Sequence, residues 1–247
     1  MNESGTDTKG HPRFSVIIPV YREGIALRRC LDQLSHVRRI QEAEIIVVDG
    51  DEGTTVQSSR PSPLPFRLVV TPPGRGRQLN AGVRLARSPR LLFLHADTRL
   101  VPDALSLVER ALFTFEAGAF DLRIESHNYW VKTVSVVGGI RSRISRIPYG
   151  DQVHFIRRET LFRMGLFPDI PLMEDVALMT CLKHHGIPIK ILKTSAYTSD
   201  RRYREDGVFR RTLGNWAILL AYRAGVPPWR LAKRYESRWR VTRRESA

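Results

Sequence analysis

The chain has 247 residues, of which 42% are hydrophobic and 26% charged, a globular composition with enough length for one large domain or two small ones. Its formal net charge of +15 favours anionic partners, which could be nucleotides, nucleic acid or an anionic membrane face. The two cysteines, Cys30 and Cys181, exclude a disulfide framework and a cysteine-ligated zinc site, and we expect both to be buried thiols in a reducing compartment.

Residues 1–13 are polar, lack the apolar core of a secretory signal, and are expected to be disordered. Strands then alternate with helices up to about residue 115. Short apolar runs at 14–19, 44–49, 66–70 and 90–97 are typical of parallel strands buried on both faces. Helical spacing of apolar residues follows the first strand and recurs after the turn at 72–74 and after Pro102. The pattern predicts an α/β fold with a doubly wound, mostly parallel sheet flanked by helices.

The remaining chain alternates less regularly. We predict a strand at 118–125, a helix at 129–145 weakened by Gly138-Gly139, a strand leading into a helix at 153–165, a helix from Glu174 closed by Gly186, and a strand at 187–193. The last 40 residues are predicted to be helical and broken by Pro227-Pro228. The best candidate for a membrane span, 212–222, has eleven residues, whereas a span needs about 20.

Polar residues follow three of the predicted strands, at the sheet edge where open α/β sheets bind ligands. They are Pro19, Tyr21 and Glu23 after the first strand, Asp49 and Asp51 after the second, and His95, Asp97 and Thr98 after the fourth. His95 and Asp97 alternate along the chain, so both are expected to face one ligand. A carboxylate and an imidazole suit Mn²⁺ or Mg²⁺ holding a diphosphate. The alternative is that Asp97 caps the next turn, but the recurrence at three strand ends favours a site.

A loop rich in glycine and arginine, GRGRQLNAG, precedes a predicted helix. Its backbone amides and the guanidinium groups of Arg75 and Arg77 would suit an anion. The alternative is an ordinary solvated loop. No GxGxxG follows the first strand and no GxxxxGK[ST] is present, which disfavours a dinucleotide-binding Rossmann protein and a P-loop NTPase.

Several motifs, taken in order, resemble those of family 2 glycosyltransferases with the GT-A fold. They are VIIPVYREG, VVDGD, the NAG of RGRQLNAG, LFLHAD and the pair Glu174-Asp175, and the resemblance covers about residues 14–205. HADT, GDQ, PLMEDV and Arg201-Arg202-Tyr203 further resemble a short soluble bacterial branch, whose members are often labelled arsenosugar-type or carotenoid-ester glycosyltransferases. The resemblance implies a nucleotide-binding half at 14–115, an acceptor half at 116–205, and a basic helical extension at 206–247.

The resemblance also implies a donor site for a nucleotide sugar, with a UDP-sugar expected. Pro19, Tyr21 and Glu23 would line the nucleotide pocket, Asp49 would lie near the base or ribose, and Arg75, Arg77, Asn80, Ala96, Asp97 and Arg202 would complete the donor site. Asp97 matches the last acid of the metal-binding Asp-x-Asp motif, and His95 stands in place of its first acid. Gly50 stands where many relatives have an aspartate that reads the base.

The implied reaction is direct displacement at the anomeric carbon with inversion. One carboxylate must accept the proton of the acceptor hydroxyl, and we assign this to Asp175, with Glu174 as its helper because adjacent residues do not share a helix face. The alternative is that both acids only stabilise a helix N-terminus. Asp151 and Gln152 are predicted to contact the acceptor, although Asp151 could equally be a turn aspartate.

Two other functions remain open at this stage. A basic module for nucleic acid or membrane would explain the charge, but carboxylates at the strand ends would repel nucleic acid. A nucleotidyltransferase would need a glycine-rich loop after the first strand, which is absent. We expect no nucleic-acid partner, a small-molecule or lipid acceptor, and a cytoplasmic location. The C-terminal basic helices are predicted to pack on the domain, with contact to the inner membrane face as the alternative.

Overall fold

The computed structural model describes residues 11–57 and 59–233. Most of the predicted disordered segment 1–13 and the end of the predicted extension 206–247 therefore lie outside the described residues. The strands are β1 (Phe14–Val20), β2 (Ala43–Asp49), β3 (Arg67–Val70), β4 (Arg90–Phe93), β5 (Thr98–Arg99), β6 (Ala117–Glu125), β7 (His154–Arg157) and β8 (Ile189–Ser199). The helices are α1 (Gly24–Leu34), α2 (Thr54–Gln57), α3 (Arg75–Leu85), α4 (Ala104–Thr114), α5 (Tyr129–Ser145), α6 (Arg158–Arg163), α7 (Glu174–His184), α8 (Arg201–Asp206) and α9 (Val208–Arg223).

Within the described residues, the strands form one eight-stranded sheet in the order β3-β2-β1-β4-β7-β6-β8-β5. The block from β3 to β4 is parallel, as is the pair β6 and β8, whereas β4 with β7, β6 with β7, and β5 with β8 are antiparallel. The predicted α/β fold, with a mostly parallel sheet flanked by helices, is confirmed. The predicted halves 14–115 and 116–205 share this sheet, because β4 of the first half pairs with β7 of the second.

The fourth predicted strand is shorter than expected. β4 ends at Phe93, and a turn in which the Thr98 amide donates to the His95 carbonyl at 3.1 Å reverses the chain. The next two residues form β5, which pairs with β8 at the far side of the sheet. His95 therefore begins a turn and Asp97 lies within it, and the argument from strand alternation was wrong.

Apolar residues on both faces of the sheet form two cores. One packs Leu27 and Leu31 of α1 and Leu105 of α4 against the sheet, and the other packs Val83 of α3 and Met179 of α7 against its opposite face. These positions are buried because each helix presents one apolar stripe to the sheet. The carboxyl ends of β1, β2 and β4 are thereby fixed at one edge.

α5 spans the predicted 129–145 and continues through Gly138-Gly139, and a Cβ at Gly139 would meet Asp121 Oδ1 at 2.7 Å because this helix lies close to β6. The second half departs from the sequence prediction in two details. β8 extends past the predicted 187–193 to Ser199. Cys30 is buried as predicted, but Cys181 is only half-buried, and both are free thiols.

The described part of the C-terminal extension is helical. α9 ends at Arg223, the chain turns at Gly225, and helix resumes at residue 228, so the predicted break at Pro227-Pro228 is confirmed. None of the helices in the described ranges combines the length and the apolar content that crossing a bilayer requires.

Candidate active site

The site lies where the carboxyl ends of the parallel strands meet the first turns of α3 and α7. A 3₁₀ turn at Gly150–Gln152 supplies its third wall. Parallel strands point their carboxyl ends to one edge, so loops from distant parts of the chain converge there. Side chains that the sequence separates by up to 100 residues are brought into contact.

Asp175 is held at the mouth of the site by two backbone amides. Its Oδ2 accepts a hydrogen bond from the Gly150 amide at 2.5 Å, and its Oδ1 accepts one from the Val176 amide at 2.7 Å. Asp175 occupies the first turn of α7, where the helix dipole also favours a negative charge. The carboxylate is only half-buried, so it is fixed in orientation and still open to a ligand.

Gly150 marks the point where three functional groups converge. A Cβ at this position would lie 3.0 Å from Arg75 Nη2, 3.0 Å from His95 Nε2 and 3.1 Å from Asp175 Oδ2. These distances are tighter than most real Cβ contacts, so a side chain there would force the three groups to shift by a few tenths of an ångström. The glycine therefore permits the close approach of Arg75, His95 and Asp175.

Arg75 bridges the two halves of the site. Its Nε lies 3.1 Å from Glu174 Oε1, and its Nη2 lies 2.8 Å from His95 Nδ1. A guanidinium can only donate, so His95 Nδ1 is the acceptor and the neutral ring carries its hydrogen on Nε2. Burial, followed by the positive charges of Arg75 and Arg202, holds the pKa of His95 well below its usual value.

Two further acids at the site resist ionisation. Burial and then the neighbouring Asp175 raise the pKa of Glu174 to about 7, against the opposing effect of Arg75. Burial and Asp175 likewise raise the pKa of Asp151 to about 6, with a smaller contribution from Asp97. Asp151 Oδ1 is buried and has no hydrogen-bond partner among the described residues. The mutual influence of these carboxylates places them in one electrostatic cluster.

The residues present fit a divalent cation only in part. Asp97 is half-buried, and within the described ranges its side chain forms no ion pair, so it can offer oxygen ligands of the kind that Mn²⁺ and Mg²⁺ prefer. His95 does not fit in this arrangement, because Arg75 occupies its free lone pair. No group of three or more His, Cys, Asp or Glu residues in the described chain could hold a metal ion. A cation here would take the rest of its ligands from a diphosphate and water.

The predicted donor residues have different surroundings. Glu23 Oε1 pairs with Arg201 of α8 at 3.2 Å, and Tyr21 is exposed near the end of β1. Pro19 is half-buried in β1. Arg202 is exposed on α8 and close enough to affect the pKa of His95. Arg77 points to the surface, where its Nε pairs with Asp169 at 2.8 Å.

Asp49, Asn80 and Ala96 are buried, which limits direct contact with a donor. The Asp49 carboxylate accepts hydrogen bonds from the backbone amides of Asp51 at 2.8 Å and Val56 at 3.1 Å, so it shapes the loop after β2. The Asn80 side chain accepts a hydrogen bond from the Phe167 amide at 3.0 Å and donates one to the Phe167 carbonyl at 2.8 Å. Their donor-binding roles stay predictions.

The position of Gln152 differs from the prediction that it contacts the acceptor substrate. It is fully buried, its Nε2 donates to the Phe120 carbonyl and to Ser142 Oγ at 3.0 Å each, and its Oε1 accepts the Tyr149 amide. All of its polar atoms are used inside the protein. The side chain therefore fixes the 3₁₀ turn that carries Gly150 and Asp151 and does not face the acceptor.

Sequence reasoning missed Arg141, Tyr149 and Gln78. Arg141 of α5 stacks on the Tyr149 ring, with the guanidinium carbon 3.5 Å from its centroid, and its charge opposes the pKa rise of Asp151. Gln78 is buried. Its Nε2 donates hydrogen bonds to the carbonyl of Val20 at 2.7 Å and to that of Val48 at 2.9 Å, near the ends of β1 and β2. Gln78 lies one turn after Arg75, a spacing that could have pointed to it, whereas no local pattern indicates Arg141.

Comparison with known proteins places this geometry in a family. The family model described as glycosyl transferase family 2 matches residues 15–167. A dolichol-phosphate mannosyltransferase of Mycosarcoma maydis is 31% identical over 121 residues, which is 44% of this chain and 41% of the relative. An uncharacterized protein of Mycobacterium tuberculosis is 34% identical over 103 residues, 40% of this chain and 32% of the relative. The chain thus spans less than half the length of these curated relatives.

Solved structures share the fold. The mannosyltransferase PcManGT from Pyrobaculum calidifontis, in complex with GDP-Man and Mn²⁺, superposes with a TM-score of 0.59 at 23% identity, over 77% of this chain and 57% of that one. Residues 1–349 of S. aureus TarS, in complex with UDP, superpose with a TM-score of 0.59 at 17% identity. The match covers 76% of this chain and 60% of that one. These likenesses confirm the predicted GT-A type of sheet. The family match covers most of the chain and contains the strand ends described above, and the chain belongs to glycosyltransferase family 2.

Proposed function

We propose that the protein is an inverting glycosyltransferase, which moves a sugar from a nucleotide-diphosphate donor to an acceptor hydroxyl. The observation that carries this is the Asp175 carboxylate, held by the Gly150 and Val176 amides at the strand-end edge and left half-exposed. A carboxylate fixed in this way suits the proton acceptor of a one-step displacement. Cationic side chains and Asp97 lie on the same edge.

The reaction needs a base and a stabilised leaving group. Asp175 accepts the proton of the acceptor hydroxyl while the hydroxyl oxygen attacks the anomeric carbon. The bond to the diphosphate breaks on the opposite face of the sugar, so the configuration inverts. The two amides that hold Asp175 orient its oxygens and still leave lone pairs for the proton. No covalent enzyme intermediate is required.

The departing diphosphate is proposed to meet Arg75, Arg77 and Arg202, although Arg75 also contacts Glu174 and His95, and Arg77 pairs with Asp169. Preorganised cations stabilise the negative charge that develops in the transition state. Asp97 would hold Mn²⁺ or Mg²⁺, which would neutralise the diphosphate as a Lewis acid. Pro19, Tyr21 and Glu23 are proposed to line the nucleotide pocket.

The finer identity of the substrates is also a proposal. We propose a UDP-sugar donor, although the neighbouring structures include one with GDP-Man and one with UDP-GlcNAc. Membership of the arsenosugar or carotenoid-ester branch, transfer of a hexose and a cytoplasmic location remain predictions. The acceptor is proposed to be a small-molecule or lipid hydroxyl, near Asp151.

The Asp175→Asn variant tests the assignment of the base. The amide keeps the shape of the side chain but cannot accept the proton, so the turnover rate at saturating donor should fall by roughly 10²–10⁴-fold. Transfer of sugar to the acceptor is measured alongside donor affinity, which should change little.

Glu174→Gln is the matched control, because it alters the adjacent acid on the other side of the helix. This variant should lose much less activity than Asp175→Asn. A nearly active Asp175→Asn enzyme together with an inactive Glu174→Gln enzyme would exchange the two roles. Activity in both variants would move the base elsewhere, with Asp151 as the next candidate.

A further inference from the structure

The outer face of α9 is apolar. Phe209, Leu213, Trp216 and Leu220 recur at the spacing of one helix stripe, and each is between 44% and 68% exposed. The opposite stripe faces the protein and contains Arg211, which is 6% exposed and pairs with Asp206 at 3.2 Å. This helix has the reverse of the usual arrangement on a surface, because its apolar stripe faces outward.

α5 adds a second exposed apolar stripe beside the first. Trp130, Val137, Ile140 and Ile144 lie on one side of this helix and are between 45% and 79% exposed. The Trp130 ring packs on the Phe209 ring with centroids 5.6 Å apart, so the stripes of α5 and α9 are continuous. Contiguous apolar surface of this kind marks an interaction site, since isolated apolar side chains are ordinary but joined ones are not. We call these two stripes the α5–α9 face.

The charges around the α5–α9 face select its partner. Neither helix contains an aspartate or glutamate, and the exposed cations include Lys132 on α5 and Arg210 and Arg223 on α9. Lys132 and Arg210 form no ion pair with the described residues. Apolar and tryptophan side chains flanked by basic residues are the pattern of helices that lie in an anionic membrane interface. α9 has 16 residues, which suits lying on a bilayer and is short of the about 20 needed to span one.

Two other occupants are disfavoured by the same charges. A second copy joined by a twofold axis would bring the same basic residues against each other. The segment 234–247 contains five arginines and two glutamates, so its charge has the same sign as the face. We propose that the α5–α9 face docks on anionic lipid headgroups with its apolar stripes inserted into the membrane interface.

Docking in this orientation would bring the candidate site to the lipid surface. Tyr222 and Arg223 end α9, and burial followed by the charge of Asp175 raises the pKa of Tyr222, so the end of this helix is within electrostatic range of Asp175. An acceptor anchored in the membrane could then reach Asp175. This last step rests on the proposed transferase function, whereas the docking itself needs no donor or acceptor.

Vesicle co-sedimentation of the full chain tests the docking. The protein should sediment with phosphatidylcholine vesicles that contain phosphatidylglycerol and stay in solution with phosphatidylcholine alone, and binding should weaken as salt rises. Leu213→Ser and Leu220→Ser should each lower the partition coefficient about tenfold, because each removes an apolar side chain from the interface. Phe113→Ser is the matched control, since Phe113 is 88% exposed on α4, outside the face, and it should bind like the wild type.

The opposite results would overturn the proposal. They are absence of wild-type binding, equal binding to neutral vesicles, or an equal loss in Phe113→Ser. Sedimentation velocity that shows a dimer broken by Leu213→Ser would assign the face to a second copy instead. Quenching of wild-type tryptophan fluorescence by brominated lipids gives a measurement that needs no variant. It should occur, because Trp130 and Trp216 lie in the face, and its absence would count against insertion.

Discussion

The surroundings of Glu174 change the pKa of its carboxyl group. It is 4% exposed, its Oε1 contacts Arg75 Nε at 3.1 Å, and its pKa is raised to about 7 by burial and by Asp175. A protonated Glu174 still accepts the hydrogen bond of Arg75 and removes one negative charge next to the proposed base. Where Glu174 is protonated, the like-charge repulsion within this cluster of carboxylates is weaker.

The raised pKa predicts how stability depends on pH. The folded protein holds the Glu174 proton more tightly than the unfolded chain, so this group stabilises the fold fully below about pH 4.5 and loses that contribution as pH rises through about 7. The wild type should therefore lose on the order of 2–3 kcal/mol relative to Glu174→Gln over this interval. Urea unfolding of both proteins at several pH values measures the difference. A difference that stays constant with pH would contradict the raised pKa.

At the scale of elements, the start of α3 joins the two predicted halves, 14–115 and 116–205. Arg75 reaches Glu174, Gln78 ties the ends of β1 and β2, and Asn80 bonds the backbone of Phe167. A Cβ at Gly76 would meet the Pro168 carbonyl oxygen at 2.5 Å, so this helix approaches the 167–168 backbone closely. One helical turn thus supplies both the arginine of the site and the contacts that hold it in place.

Asn80→Ala tests whether this contact holds α3 in place. The change removes two hydrogen bonds and leaves the buried amide of Phe167 without a partner, so the free energy of unfolding should fall by about 2–3 kcal/mol. Arg77→Ala, three residues earlier, breaks only an exposed ion pair and should cost at most about 1 kcal/mol. Urea unfolding measures both. Equal losses would mean that the Asn80 bonds contribute no more than a surface ion pair.

At the scale of the whole molecule, the site depends on the continuous sheet. Asp97 comes from the first half and Asp175 from the second, and the antiparallel pairing of β4 with β7 fixes one half against the other. Neither half contains all the proposed groups. A bound donor is therefore expected to stabilise the entire chain, by about 2.7 kcal/mol when its concentration is 100 times the dissociation constant.

The Asp97→Ala variant tests the metal-dependent part of that stabilisation. Wild-type protein should show a higher thermal midpoint with UDP and Mn²⁺ together than with UDP alone. The variant should lose this increment and keep its own midpoint without ligands, since Asp97 is half-buried and makes no ion pair with the described residues. Calorimetric titration provides the affinities. An unchanged affinity for UDP and Mn²⁺ in the variant would remove Asp97 from the metal site.

The order and type of most elements follow from the amino-acid sequence alone. Apolar runs such as 14–19 and 44–49 are local signals, because a strand buried on both faces has to be apolar throughout. The motifs at the strand ends are local signals too, because each is a contiguous stretch of sequence. Their order along the chain indicated the family. The end of β4 was misjudged, because a turn and a continuing strand have similar local composition.

Which of these residues meet depends on the folded chain as a whole. Arg75 contacts His95 and Glu174, which are 20 and 99 residues away, and the Gly150 amide binds a carboxylate 25 residues away. Gln152 faces the core and the apolar stripe of α9 faces outward, although helical spacing alone predicts only that a stripe exists. The sequence gives the period of a helix, whereas the direction of each face is set by what packs against it, and that is a property of the complete fold.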